Sequence, residues 1–145
     1  LHQQALTLNT MQVQTIKINK VSYPLAYNML AISRIMKDLG SATFDELVST
    51  IDQIMSHANG TGEGELSPSK ITEVLQPMGV IAHHGLHMGG YLSNKPYTKD
   101  ENETQCLFND FKELAQCFGI FYGEFLAFYS PKEEDAAKKK TKVSP

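Results

Sequence analysis

Apolar positions along the chain change their spacing several times, and each spacing predicts an element. Over residues 10–19, Met11 and Val13, then Ile16 and Ile18, recur two apart with a slip at Thr15. That alternation predicts a half-buried strand with a bulge at the slip. Ser22-Tyr23-Pro24 reads as a turn, with Pro24 suited to the first turn of a following helix. Leu25, Met29, Ile32, Met36 and Leu39 then step by four and three, with Leu30 and Ile35 widening the stripe. This spacing predicts a core-facing helix, and Gly40 supplies its left-handed stop. Thr43-Phe44-Asp45-Glu46 has the form of a capping box, in which hydroxyl and carboxylate satisfy orphan backbone donors at a helix start. Phe44, Leu47, Val48, Ile51, Ile54 and Met55 trace one face of that second helix to about His57.

The next stretch, 59–65 (NGTGEGE), is glycine-rich and acidic and reads as a loop. Ser67-Pro68 suits a helix start, and Ile71, Val74, Leu75 and Met78 give a third apolar face. Pro77 removes a backbone donor and crowds the carbonyl of Glu73, so it is expected to end or kink this helix, with Gly79 and Gly85 as stops. Gly89-Gly90 between short apolar stretches in 85–92 reads as a small hairpin. After a polar linker at 93–102, Leu107, Phe111, Leu114, Phe118, Phe121, Phe125 and Phe128 repeat at alternating four and three. That series predicts one amphipathic helix over 103–129, closed by Pro131 and followed by a charged, disordered tail.

Three short helices and a glycine-turned hairpin make a helix-turn-helix with a wing. The residues that carry this are Leu30, Ile35 and Leu39-Gly40, then Thr43-Phe44-Asp45-Glu46-Leu47, Ile71, Leu75, Gly79-Val80, Gly85-Leu86 and Gly89-Gly90-Tyr91-Leu92. On them, residues 29–92 resemble a winged helix of the linker-histone globular-domain type and are similar to an uncharacterised insect family. The expected fold is mainly α: an N-terminal extension with a strand (1–21), a winged-helix-like domain (22–94), a linker with the long Phe-rich helix (95–130), and a tail (131–145). The resemblance implies duplex binding through the third helix and the wing, and a nuclear setting. Linker-histone domains carry several lysines there, whereas this chain offers Lys70, Lys95 and Lys99, opposed by Glu73.

Charge weakens the duplex reading further. The 145 residues carry 13 Lys and Arg against 16 Asp and Glu, a net charge of −3 that does not suit a general nucleic-acid binder. Residues 41–66 hold five acids and no Lys or Arg, and 100–124 hold six acids against Lys112. Phosphate contacts dominate duplex affinity, so so few cations between acidic bands are expected to bind DNA poorly. Two cysteines, Cys106 and Cys117, lie ~16 Å apart if they share a helix, beyond disulfide reach. Reduced thiols suit an intracellular protein. The sequons at Asn59 and Asn102 are as many as chance gives among seven asparagines. No apolar run approaches a membrane span, and the first residues lack the features of a signal peptide. The chain opens on Leu1 rather than Met, as a fragment of a longer protein would.

Candidate chemistry is sparse. His83, His84 and His87 form H-H-x-x-H, but without the acid of a zinc-protease helix or a nearby fourth ligand, so a solvated turn is expected and no metal or cofactor. No phosphate loop, nucleotide fingerprint or nucleophile elbow is present, and the protein reads as non-enzymatic, with no small-molecule substrate. Residues 117–130 contain one charge, Glu124, and Gly119 and Gly123 leave a strip a second helix could approach. The leading expectation is therefore a protein-interaction module, homodimeric or partner-binding, whose contact surface is Phe111, Phe118, Phe121, Tyr122, Phe125 and Phe128. The alternative is a chromatin-binding winged helix that contacts duplex DNA through Lys70, His83, His87, Lys95 and Lys99.

Overall fold

The computed structural model describes residues 13–59 and 68–143, with side chains at 13–56 and 72–128. Two antiparallel strands, β1 (Val13–Ile18) and β2 (Val21–Ala26), come first among the described residues. Among the described residues five helices follow: α1 (Met29–Leu39), α2 (Phe44–Asn59), α3 (Pro68–Leu92), α4 (Glu101–Leu107) and α5 (Phe111–Val143). The mainly α expectation therefore holds, with the hairpin at the N-terminus and not after the third helix.

The strands join through Asn19 and Lys20, both at positive φ (54° and 72°), the two-residue turn whose twist matches that of a hairpin. Pairing runs one to one from Ile18↔Val21 to Val13↔Ala26, so the bulge expected at Thr15 is absent. Ile16 and Ile18 point into the core, and Val13, on the opposite face, packs at its margin. Pro24 lies within β2, not at a helix start. A two-stranded sheet leaves every strand an edge, where the missing proline N–H costs no ladder bond. Helix α1 starts instead at Asn28, whose side chain accepts the Ala31 N–H at 2.9 Å. It ends on Gly40 at φ 73°, as its sequence predicts. At the start of α2, Thr43 Oγ1 accepts the Glu46 N–H, while the Glu46 carboxylate reaches one residue further back to the Ala42 N–H.

The largest departure is α3, one continuous 25-residue helix running through Pro77 and all the glycines read as stops. What looks like a wing at 85–92 is its last two turns. The glycines are there for close approach. A Cβ on Gly89 would sit 2.4 Å from the Pro24 carbonyl, and one on Gly85 would sit 2.3 Å from the Tyr27 ring. Gly90 likewise meets the Lys95 carbonyl at 2.6 Å. The helix lies directly on β2 and on the loop that follows its own end, and Val74, Met78, Ile81, Ala82, Leu86 and Met88 fill the core around it. Its end is set by Asn94 at φ 58°, with the Lys95 N–H returning to the Gly90 carbonyl. A helix with neighbours on most sides shows no clean amphipathic stripe, which hid its length.

The Phe-rich helix is also redrawn. A capping box at Asp100 and Glu103 opens α4. The chain breaks at 108–110, and Asp110 caps α5 by accepting the Lys112 N–H. Leu107 and Phe111 thus belong to different helices, although their spacing fits one. Helix α5 continues past Pro131 to Val143, where the sequence predicts a stop and a disordered tail. Phe118, Phe121 and Phe125 face inward: Phe121 meets Tyr27 edge-on at 5.3 Å, and Phe125 meets Phe44 at 5.9 Å. One core therefore takes residues from β1 to α5 and runs across the boundaries expected at 21/22 and 94/95.

Candidate functional site

The expected contact surface is divided by this packing. Phe118, Phe121 and Phe125 are buried and serve the core, which removes them from any surface a folded partner could touch. Tyr122 is half-buried and stacks on Phe118. Phe111 (44% exposed) and Phe128 (37%) remain outside. Spacing alone could not separate these, because burial of a helix face depends on how far along the helix the rest of the molecule reaches.

Phe111 borders an open cleft of about 450 Å³. Val74 and Leu114 line it, with Leu75, Phe108 and Phe111 bringing partly exposed apolar surface to its edge. Gly79 and Gln105 belong to the same lining. The break at 108–110 creates this cleft: it turns the chain between α4 and α5, so that the corner stands off the N-terminal half of α3. A single helix over 103–129 would have no corner.

A polar cluster built by three elements gathers around the start of α4. Asp38 comes from the last turn of α1, His83, His84 and His87 from α3, and Tyr97, Asp100, Glu101 and Thr104 from the segment that leads into α4 and from α4 itself. The His84 Nε2 lies 2.6 Å from Asp38 Oδ2. A Glu101 carboxylate oxygen lies within 4.8 Å of both of these atoms. His84 and then Glu101 hold the Asp38 carboxyl below its ordinary range, despite some desolvation. Burial first, and the neighbouring Asp38 carboxyl second, push Glu101 up.

Behind this pair, Thr104 is fully buried. Its hydroxyl donates to the Asp100 carbonyl at 2.9 Å, so its oxygen accepts from Tyr97 Oη at 2.7 Å and from His83 Nδ1 at 2.9 Å. One hydroxyl has one proton, so this arrangement puts the His83 ring proton on Nδ1. Burial, then the neighbouring His84 and His87, hold the His83 pKa below the usual histidine range, and burial pushes Tyr97 up to about 12. The three histidines are therefore not a solvated turn. They sit on helix, with His83 buried, His84 half-buried and His87 exposed.

The cations of the duplex reading do not gather. Lys70 stands in the first turn of α3, its side chain outside the described residues, and Lys95 and Lys99 follow the other end. The intervening helix alone spans ~33 Å. The glycine-rich loop beyond Asn59, the rest of the Asn59 sequon and the side chains of the charged tail also lie outside the described residues. No described helix is long and apolar enough to cross a membrane.

Comparison with family models, with curated proteins and with solved structures gave no match. The functional reading therefore rests on the geometry alone.

The Asp38 and Glu101 carboxylates are the site residues that sequence reasoning missed. They are 46 and 17 residues from His84, and no local spacing connects them. The Asp100–Glu103 capping box was the one available signal, since it marks a helix start beside Glu101.

Proposed function

We propose that this chain is a non-enzymatic protein-interaction module that receives an apolar helical segment of a partner in the cleft between α3 and the α4–α5 corner. The observation that carries the reading is the cleft itself: about 450 Å³, within the ~300–1,000 Å³ range of binding pockets, and predominantly apolar in its lining, with Gln105, Asn109 and Asp110 as its polar members. Phe111 at 44% exposed and Leu75 at 36% stand at its edge, where burial by a partner gains roughly 25 cal/mol per Å². Helix-in-groove recognition uses this kind of surface, with apolar anchors at i, i+3, i+4 and i+7 inserted from the partner. The reading keeps the start of α5 as a contact element and leaves the rest of its aromatic row to the core.

The test is selection from a displayed library of amphipathic helices against the whole chain. Enriched helices should share that anchor spacing, and Leu75→Glu or Phe111→Ser should abolish their binding while circular dichroism stays unchanged. Enrichment that survives both substitutions, or none at all, refutes the cleft as the docking surface.

A further inference from the structure

We propose that Asp38, His84 and Glu101 form a binding site for a first-row divalent transition ion of the zinc class, which clasps α1, α3 and α4 together. One imidazole nitrogen and two carboxylate oxygens, each from a different element, lie within 4.8 Å of one another. Protein ligands sit ~2.0–2.2 Å from zinc, which places cis donor atoms roughly 3.0–3.5 Å apart. The His84–Asp38 separation of 2.6 Å must therefore open by roughly 0.4–0.9 Å, a side-chain adjustment at a pair that is partly exposed.

The donor set fixes the class of ion. Mg²⁺ and Ca²⁺ favour all-oxygen shells, whereas a mixed imidazole and carboxylate set suits zinc, cobalt and manganese. Three protein ligands leave a position for water. On binding, the ion takes the place of the proton between His84 Nε2 and Asp38, and that proton leaves to solvent. It also neutralises two carboxylates that otherwise lie close together beside one imidazole.

The surroundings keep the ligands in register. His83, next to His84, is held by Thr104, and Thr104 is one helical turn from Glu101 on α4. The α3 and α4 ligands are thus fixed relative to each other by a buried hydrogen bond, and Asp38 is placed by the end of α1.

Calorimetric titration of the whole, chelator-treated chain with ZnCl₂ tests this, supported by the visible absorption of Co²⁺. One equivalent should bind, with excess Mg²⁺ present, and the melting temperature should rise with free zinc. Glu101→Gln and Asp38→Asn, both near-isosteric, should each weaken binding at least ~10-fold, and His84→Gln should abolish the Co²⁺ band. His87→Gln should leave all of this unchanged. Absence of binding, binding unaffected by the three ligand substitutions, or binding lost with His87→Gln would each overturn the site. Circular dichroism of the zinc-free variants separates loss of a ligand from loss of fold.

Discussion

Replacing Gly89 with alanine and replacing Gly119 with alanine are the same chemical change in helices of the same protein, and they should have opposite effects. Alanine is favoured over glycine by about 0.8–1.0 kcal/mol in a helix interior. At Gly119 a Cβ would meet nothing within 4 Å, so that gain is kept, and stability should rise by roughly 0.5–1 kcal/mol. At Gly89 the new carbon would lie 2.4 Å from both the carbonyl carbon and oxygen of Pro24, and 2.5 Å from the Leu25 nitrogen. These are backbone atoms in β2, so no rotamer change relieves the clash. Carbon contacts are comfortable at ~3.5–4.0 Å. The helix must therefore move off the strand by about an ångström, which loosens Leu25 and Leu86, both fully buried. Overpacking of this kind costs typically 1–3 kcal/mol and occasionally more, and here it acts on backbone, at the upper end. Set against the helix gain, the net loss is about 2 kcal/mol. For a chain of this length that lowers the melting temperature by roughly 4–8 °C. Urea unfolding followed by circular dichroism measures both variants. A Gly89→Ala protein as stable as its Gly119→Ala counterpart would refute the claim that α3 lies directly on β2, and would favour a glycine-turned hairpin at that point.

Four further outcomes follow from the packing. Phe121→Ala should cost about 3–5 kcal/mol because the ring is fully buried against Tyr27, while Phe111→Ser should change stability by no more than about 0.5 kcal/mol; equal effects in denaturant titration would contradict the division of the aromatic row. Tyr27→Phe removes the buried hydroxyl that donates to the Ile81 carbonyl at 2.8 Å, and should lower unfolding free energy by about 1 kcal/mol. Burial, with Glu113 nearby, pushes the Cys117 thiol up to about 12, whereas Cys106 is exposed, so a thiol reagent at pH 8 should label one cysteine in the native protein and two in urea. Burial raises the Glu124 carboxyl above its ordinary value of 4.5. The folded state then holds this proton more tightly than the unfolded chain, so ionisation costs stability as pH rises through 4.5 to the raised value. Glu124→Gln should therefore be the more stable protein at pH 7 and lose that advantage below the ordinary carboxylate range, as paired thermal melts would show.

Local signals were legible wherever one residue satisfies a neighbour. Gly40 as a left-handed stop and Thr43 as the cap of α2 depend on backbone groups within four residues, and both stand as the sequence reads. The Asp100–Glu103 box was equally local, but the strong Phe spacing that runs past it masked the break at 108–110. Spacing also established that 114–125 would present one apolar face. What that face meets was a separate matter.

The sequence by itself determined a mainly helical protein, the C-terminal end of α1 and the start of α2, and the inward face of α5, because capping and helical periodicity are properties of contiguous residues. Only the tertiary structure decided the meaning of the glycines in α3. A glycine that ends a helix and one that lets a strand lie against it look the same in sequence, and differ by whether Pro24 and Tyr27 occupy the space of the missing Cβ. The same holds for the site, where Asp38, His84 and Glu101 become neighbours only when α1, α3 and α4 share one side of the molecule.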